Sequence, residues 1–549
     1  MSQPQQHEAW SSRMGAILAV ASSAVGLGNF LRFPGLAAKY GGGSFMIAYF
    51  VSLLLIGAPV AWAEWTMGRY GGRLGFHSSP GIFHTLLRRP WAKYLGVLGL
   101  AVPLVVSMYY MCVESWCLGY ACMALSGGLD GVADFPKLFA AFTGATGDGD
   151  AVRFSPDKAG FFLIIALVIN LFLLHRGISR GIEMACRVGM PLLIAIAVAI
   201  LVRVLSLGTP DASKPGQNVL AALGFMWNPG ELSTSLANPQ LWLAAAGQVF
   251  FSLSVGMGII ITYASYLRRT DDVTLSSVTA VAANSFCEVA LGGMITVPAA
   301  FLFLGAAGVA GGTFSLGFMV LPSVFTSMPA GMLFATGFFV LLFLAAVTSS
   351  ISILQPVLAF LEEAFQLRRR TSIAWLAVLV IIGSSWATYF SGGLKAIDTM
   401  DFWVGNVSVF MLGTLVIVLF GWLVGIDKSW SEMHRGALLR VPGGFRLVMR
   451  YVTPLYLTTI FVLFLLREML GWNFSLTTPR FEPKHYMTDL FGENSNPVAQ
   501  LTVAFIAFVL LSCIALVAAG GRRWRNKPLP PHLRHSGLQK KHHRTTPPQ

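Results

Sequence analysis

Long apolar runs recur from near the start of the sequence to near its end. A helix needs about 20 such residues to cross the hydrocarbon core of a bilayer. About twelve runs reach that length, with edges good to a few residues. They lie near 13–37, 42–69, 91–125, 159–175, 186–206, 241–266, 275–305, 334–362, 372–390, 400–425, 448–469 and 498–520. Lipid offers no partner for a free amide or carbonyl, so each run must satisfy its own backbone as a helix. The expected fold is an all-α membrane protein of about twelve transmembrane helices. Composition agrees: 11% of residues are charged, against about 25% in a soluble domain.

The net charge of +14 does not mark a nucleic-acid surface, because the basic residues sit in short connections between runs. Examples are Arg88-Arg89, Arg268-Arg269, Arg368-Arg369-Arg370 and, after the last run, Arg522-Arg523 with Arg525. Positive residues flank spans on the cytoplasmic side. The connection 126–157, with Asp130, Asp134, Asp148 and Asp150, reads as external. An even number of spans then puts both termini in the cytoplasm and the chain in the cell (inner) membrane. The first run is too long for a cleavable signal peptide. The six cysteines lie in or beside apolar runs and read as buried free thiols, and the ten histidines form no intramembrane metal cluster. The basic, proline- and histidine-rich tail 521–549 reads as disordered. No P-loop, HExxH or Gly-x-Ser-x-Gly pattern is present, so an enzyme is not expected.

One echo stands out. Val25-Gly26-Leu27-Gly28 lies inside the first run and Val255-Gly256-Met257-Gly258 inside the sixth. Mid-helix glycine costs about 1 kcal/mol relative to alanine. Close helix packing by small residues could account for either pair alone. The matched pair, five spans apart, predicts a broken helix in each of two inverted repeats, the arrangement that marks a midplane binding site in secondary transporters. The organisation that follows is a cytoplasmic N-terminus 1–12, a first repeat 13–206, a second repeat 241–425, two further helices in 448–520 and the tail. Free amides at a half-helix start suit a carboxylate. Free carbonyls suit a hard cation that takes oxygen ligands. Asn29, Ser252, Ser254, Asn284 and Thr348-Ser349-Ser350 supply oxygen-bearing side chains nearby. Arg32, Glu64, Glu114, Glu288 and Asp401 are the charged residues within runs, where charge is costly and usually functional. For Glu64 and Glu114 a buried structural hydrogen bond stands beside a direct role.

These residues also carry a family likeness. AVGLGNFLRFP (24–34), GGGSF (41–45) and EWTMGRYGG (64–72), followed in order by SMYYMCVESW, GQVFFSLSVGMG, ITYASY, AAVTSSISILQP and MDFW, resemble the neurotransmitter:sodium symporter family. The resemblance is closest to its bacterial amino-acid transporters, such as the leucine transporter, and covers about residues 10–470. It implies a five-plus-five inverted repeat with helices 1 and 6 broken. It implies sodium-coupled import of a small, hydrophobic α-amino acid, with two sodium ions. One sodium would meet the Ala24 carbonyl, Asn29, Ser252 (threonine in the leucine transporter) and Asn284. The other would meet the carbonyls of Ser22, Val25 and Ala345 and the hydroxyls of Thr348 and Ser349. The substrate would lie among Ser23, Ala24, Leu27, Gly28, Val106, Tyr110, Phe251, Ser252, Ser254, Met257, Ser349 and Ile353. Arg32 and Asp401 would form the external gate, and Tyr266, Glu363 and the N-terminal segment the internal one.

Three departures matter. His7 stands where the family has an arginine, which predicts either a weaker, pH-sensitive internal gate or a substitute base such as Arg13. Met257 replaces a phenylalanine and predicts a tolerant pocket for large apolar side chains. Glu288 stands where chloride-dependent members have serine, with Tyr49, Gln248, Ser252 and Asn284 around it, and predicts transport without chloride. A ligand-sensing membrane subunit and a transporter of betaine-like substrates are the alternatives. A homodimer is one open arrangement.

Overall fold

The computed structural model describes residues 10–309, 312–472, 481–482, 484–493 and 495–524. Among them the architecture is all-helical. Nine helices are long and apolar enough to span a membrane: Gly43–Arg73, Ala92–Leu125, Ile178–Leu205, Val273–Ala306, Gly331–Phe365, Arg369–Tyr389, Gly392–Leu423, Gly444–Glu468 and Pro497–Arg522. A tenth is the pair Arg13–Ala24 and Gly28–Lys39, bent by 47° at its break. Ala159–His175 is a shorter apolar helix. The sixth run is split into Pro239–Ser252 and Ile259–Ala264. All twelve expected runs therefore appear as helices, two of them broken.

The interior is organised around the third and eighth spans, Ala92–Leu125 and Gly331–Phe365, which pack along each other. In Ala92–Leu125, 94% of the most apolar window is buried, against 22% in the last span. Helices with lipid-facing sides keep apolar residues outside, so Trp375, Trp422 and Phe508 are exposed without penalty in hydrocarbon.

Three expectations need correction. The fifth span begins at Ile178, not 186, because a π-helical turn, Ile178–Glu183, leads into it. Within this turn Glu183 is buried and accepts the amide of Ser11 at 2.9 Å. The last helix continues through Gly521 to Trp524, so the tail starts later than expected; residues 525–549 lie outside the described residues. Five cysteines are buried free thiols as expected, but Cys122 is exposed near the end of its span.

The two breaks differ in backbone. Ser254, Gly256 and Gly258 have φ of +54°, +72° and +76° in the sixth span. Gly26 and Gly28 lie outside the positive-φ region. Their lack of a side chain serves close approach: a Cβ on Gly26 would sit 2.9 Å from Ser349 Oγ, and one on Gly28 2.8 Å from the Phe251 ring. The opened backbone is satisfied locally. Asn29 Oδ1 accepts from Gly26 N at 3.0 Å, and Glu64 Oε1 accepts from Gly256 N at 2.9 Å.

Candidate functional site

The broken helices face each other. Ser254 Oγ donates to the Ser23 carbonyl at 3.1 Å, and Gln248 Nε2 approaches the Gly28 carbonyl at 3.4 Å. Two oxygen clusters flank this contact.

The first centres on Asn284. Asn29 Nδ2 donates to Asn284 Oδ1 at 2.8 Å, and Asn284 Nδ2 lies 3.4 Å from Ser252 Oγ. The same Oδ1 sits 3.1 Å from the Ala24 carbonyl oxygen and 3.2 Å from that of Ser252. Three acceptors turned together repel unless the amide turns over or a cation lies between them. Asn29, Asn284 and Ser252 are all buried, so water cannot separate the dipoles cheaply. The donor set, carbonyl and amide oxygens with one hydroxyl, fits a hard cation.

The second joins span one to span eight. Thr348 Oγ1 lies 3.2 Å from both the Ser22 and Ala345 carbonyls. Ser349 Oγ donates to the Ser23 carbonyl at 3.2 Å. Ser22, Ala345 and Thr348 meet here. The Ser349 hydroxyl points instead toward the substrate-side carbonyl, and Val25 is buried at the break itself.

Leu27, Val106, Tyr110, Met257 and Ile353, the residues expected around a substrate, are all buried. The Tyr110 hydroxyl is 3.2 Å from the Cβ position of Gly26, at the mouth of the first break. Buried apolar side chains beside main-chain oxygens and hydroxyls would suit a small zwitterion with an apolar side chain.

Glu288 is fully buried and accepts hydrogen bonds from the Tyr49 hydroxyl and Gln248 Nε2, with Asn284 Nδ2 at 3.5 Å. Asn284 thus stands between the carboxylate and the first oxygen cluster. Glu64 and Glu114 serve the frame. Glu64 holds the second break, and Glu114 Oε1 accepts from Asn170, whose Oδ1 accepts from Ser350.

Side-chain contacts join the helices at both ends of the site. At one end the Arg32 guanidinium covers the Phe251 ring at 4.6 Å. Arg32 and Asp401 share this end, with Asn406 between them: Arg32 Nη2 donates to Asn406 Oδ1 and Asn406 Nδ2 to Asp401 Oδ2, each at 3.2 Å. Tyr109 donates to the other Asp401 oxygen at 2.8 Å.

At the opposite end, Trp10 Nε1 donates to the Tyr263 carbonyl at 3.0 Å, and Arg13 pairs with Asp272 at 3.6 Å. Asp272 caps the seventh span; burial raises its carboxyl, but the amides of Leu275 and Leu438 outweigh this and hold it below the usual carboxylate range. Tyr266 accepts from Gln355 at 3.2 Å and stacks on His77 at 4.6 Å. Glu363 accepts from the amides of His77 and Ser78, just ahead of the helix Ser79–Leu87. His7 lies outside the described residues.

The sequence reading missed Asn406, Tyr109, Glu183 and His77. A polar residue inside an apolar run was the available signal for Asn406. Its spacing of five from Asp401 disguised it, because a regular helix turns that position away.

Two discontinuous helices meeting at a buried, oxygen-rich site define the class: a multi-pass secondary transporter with a midplane site. The family model "Sodium:neurotransmitter symporter family" matches residues 7–131 and 156–482, and the chain belongs to that family. It is 29% identical over 472 residues to an uncharacterized sodium-dependent transporter of Haemophilus influenzae, covering 83% of this chain and 98% of the relative. It is 23% identical to the sodium-dependent dopamine transporter of Bos taurus, covering 89% and 71%. The crystal structure of MhsT in complex with L-phenylalanine superposes with a TM-score of 0.71 at 28% identity, covering 83% of this chain and 99% of that one. The chain is thus a sodium-dependent membrane transporter of leucine-transporter-type fold, in a family of transporters and not of enzymes.

Proposed function

We propose that the chain imports a small hydrophobic α-amino acid together with two sodium ions, by alternating access and without chloride. The observation that carries this is the Asn284 cluster: the Ala24 and Ser252 carbonyl oxygens of the two broken helices converge with the Asn29 and Asn284 carboxamides at one buried point. A neighbour of the same fold holds L-phenylalanine, which supports an amino acid with a large apolar side chain, as does the flexible Met257. The substrate carboxylate would face the amides of the first break and Tyr110 and complete the first cation shell with Ala24, Asn29, Ser252 and Asn284. Ser22, Val25, Ala345, Thr348 and Ser349 would hold the second cation. Ion and substrate then share a ligand, so each raises the affinity of the other.

Glu288 supplies the charge that makes chloride unnecessary. A fixed carboxylate one helical turn from Asn284 offsets bound sodium in a low-dielectric interior. The proposed setting is the inner membrane with both termini cytoplasmic. The test is uptake of labelled amino acids by the purified chain in proteoliposomes, in sodium chloride, sodium gluconate and potassium chloride. Uptake equal in the two sodium salts and absent in potassium is expected, with large apolar amino acids competing best. A strict chloride requirement in the parent, or preference for glycine or a charged amino acid, overturns the corresponding part. Glu288→Ser should create a chloride requirement. Binding without counterflow of label would favour a sensing subunit instead.

A further inference from the structure

We propose that Asn406, not Asp401, is the direct partner of Arg32 in the closure over the pocket, and that Asp401 acts on Asn406 as a positioning residue. The proposal rests on the reading of Arg32 as the gate at its end of the site.

The hydrogen-bond chemistry allows one arrangement. Arginine only donates and a carboxylate only accepts. A carboxamide offers both functions, and here its orientation is determined by its neighbours: Oδ1 receives Arg32 at 3.2 Å, and Nδ2 gives to Asp401 Oδ2 at 3.2 Å and to the Asp401 main-chain oxygen at 2.9 Å. Asp401 has its second carboxylate oxygen engaged by Tyr109 of span three. Asp401 is therefore held between Tyr109 and Asn406, and its contact with Arg32 runs through the amide.

The local backbone explains why Asn406 can reach. Residues Asp401–Ser408 form a π-helical segment. A regular helix of 3.6 residues per turn puts positions i and i+5 on different faces. The wider π turn brings i+5 back over i. Ser408 makes the matching bond to the Trp403 carbonyl at 2.9 Å, again five residues back. Gly405 completes the device. A Cβ there would lie 2.6 Å from Asp401 Oδ1 and 2.7 Å from the Tyr109 hydroxyl, so a larger residue would split the Asp401–Tyr109 pair.

The consequence reaches the pocket. Arg32 lies over Phe251, and the Phe251 ring rests against Gly28 in the first break. Losing the Asn406 contact frees the guanidinium, and with it the aromatic lid. Because spans one and ten meet here through a hydrogen-bonded amide, closure senses the shape of the π turn as well as charge.

The test is hydrogen–deuterium exchange of the purified full chain in sodium, read on peptides covering residues 28–33 and 247–253. Asn406→Leu keeps the branched shape and removes all three side-chain hydrogen bonds; exchange in these peptides should rise roughly tenfold over the parent. Asn406→Asp keeps an acceptor for Arg32 but loses both donations to Asp401 and sets a second carboxylate against it, so its exchange should lie between the parent and the leucine variant. Arg32→Ala combined with Asn406→Leu should exchange no faster than Arg32→Ala alone. Asn406→Ala replaces the leucine variant should that one fail to fold. Parent-like exchange in the leucine or alanine variant overturns the proposal, and a parent-like aspartate variant overturns the positioning role of Asp401. Protection of the parent by sodium over potassium reports separately on the cation sites, so failure of the transport reading is distinguishable from failure of the Asn406 assignment.

Discussion

The two breaks look alike in sequence, each a Gly-x-Gly after an apolar half-helix, yet they are built differently. In the sixth span the chain reverses into positive φ at Ser254, Gly256 and Gly258. The freed amide of Gly256 is taken by Glu64 from the second span. In the first span Gly26 and Gly28 keep ordinary backbone angles and serve to admit Ser349 and Phe251. Its freed amide is taken by Asn29, three residues on in the same segment. One break is a backbone conformation braced from outside; the other is a cleft held open for neighbours. The same pattern therefore answers two different demands, torsional freedom and space.

The sharpest way to break this comparison is to add a methyl to each. Gly256→Ala meets both obstacles, because a left-handed angle costs an L-residue about 1–2 kcal/mol and its Cβ would lie 2.6 Å from the Val409 carbonyl oxygen. Loss of folded protein and of uptake is expected, read by thermal unfolding and proteoliposome transport. Gly28→Ala meets only the edge of a side chain, the Phe251 ring, and gains about 1 kcal/mol of helix propensity. Its melting should stay near that of the parent while substrate affinity falls. Equal melting losses in the two variants would remove the distinction.

A smaller effect separates the two oxygen clusters beside the breaks. Asn29→Ala removes a buried amide oxygen and the acceptor for Gly26 N, so it should raise the sodium requirement for binding and also lower stability by about 1–3 kcal/mol. Thr348→Ala should raise the sodium requirement with a smaller loss of stability, since its hydroxyl bonds carbonyls that have other partners in the helix. Sodium titration of substrate binding and thermal unfolding check both. Unchanged sodium dependence in the two variants would refute the cluster assignments.

The smallest effect concerns the far end. Asp272 titrates below the usual carboxylate range, so the Arg13–Asp272 pair persists above that range and is lost only as pH falls through the lowered value. Closure through this pair should not change between about pH 5.5 and 8, where a histidine-based latch would. Cysteine accessibility near Trp10 across that interval measures it. A marked change with a midpoint near the histidine range would return the latch to His7.

Much of this protein was legible in its residues. Twelve apolar runs determine twelve helices, because a bilayer leaves a chain no other way to satisfy its amides. The paired glycines marked both breaks, and Asn29, Asn284, Ser252 and Thr348 marked the oxygen-rich floor between them. What tertiary structure decided was direction and partnership. Glu183 reads as a loop residue until Ser11 is brought to it across 172 positions. Asn406 reads as a stray amide until a π turn swings it over Asp401 and under Arg32. Burial of a helix follows from its own composition, whereas a hydrogen bond between distant segments depends on an angular register of a fraction of a turn, which only packing against neighbouring helices fixes.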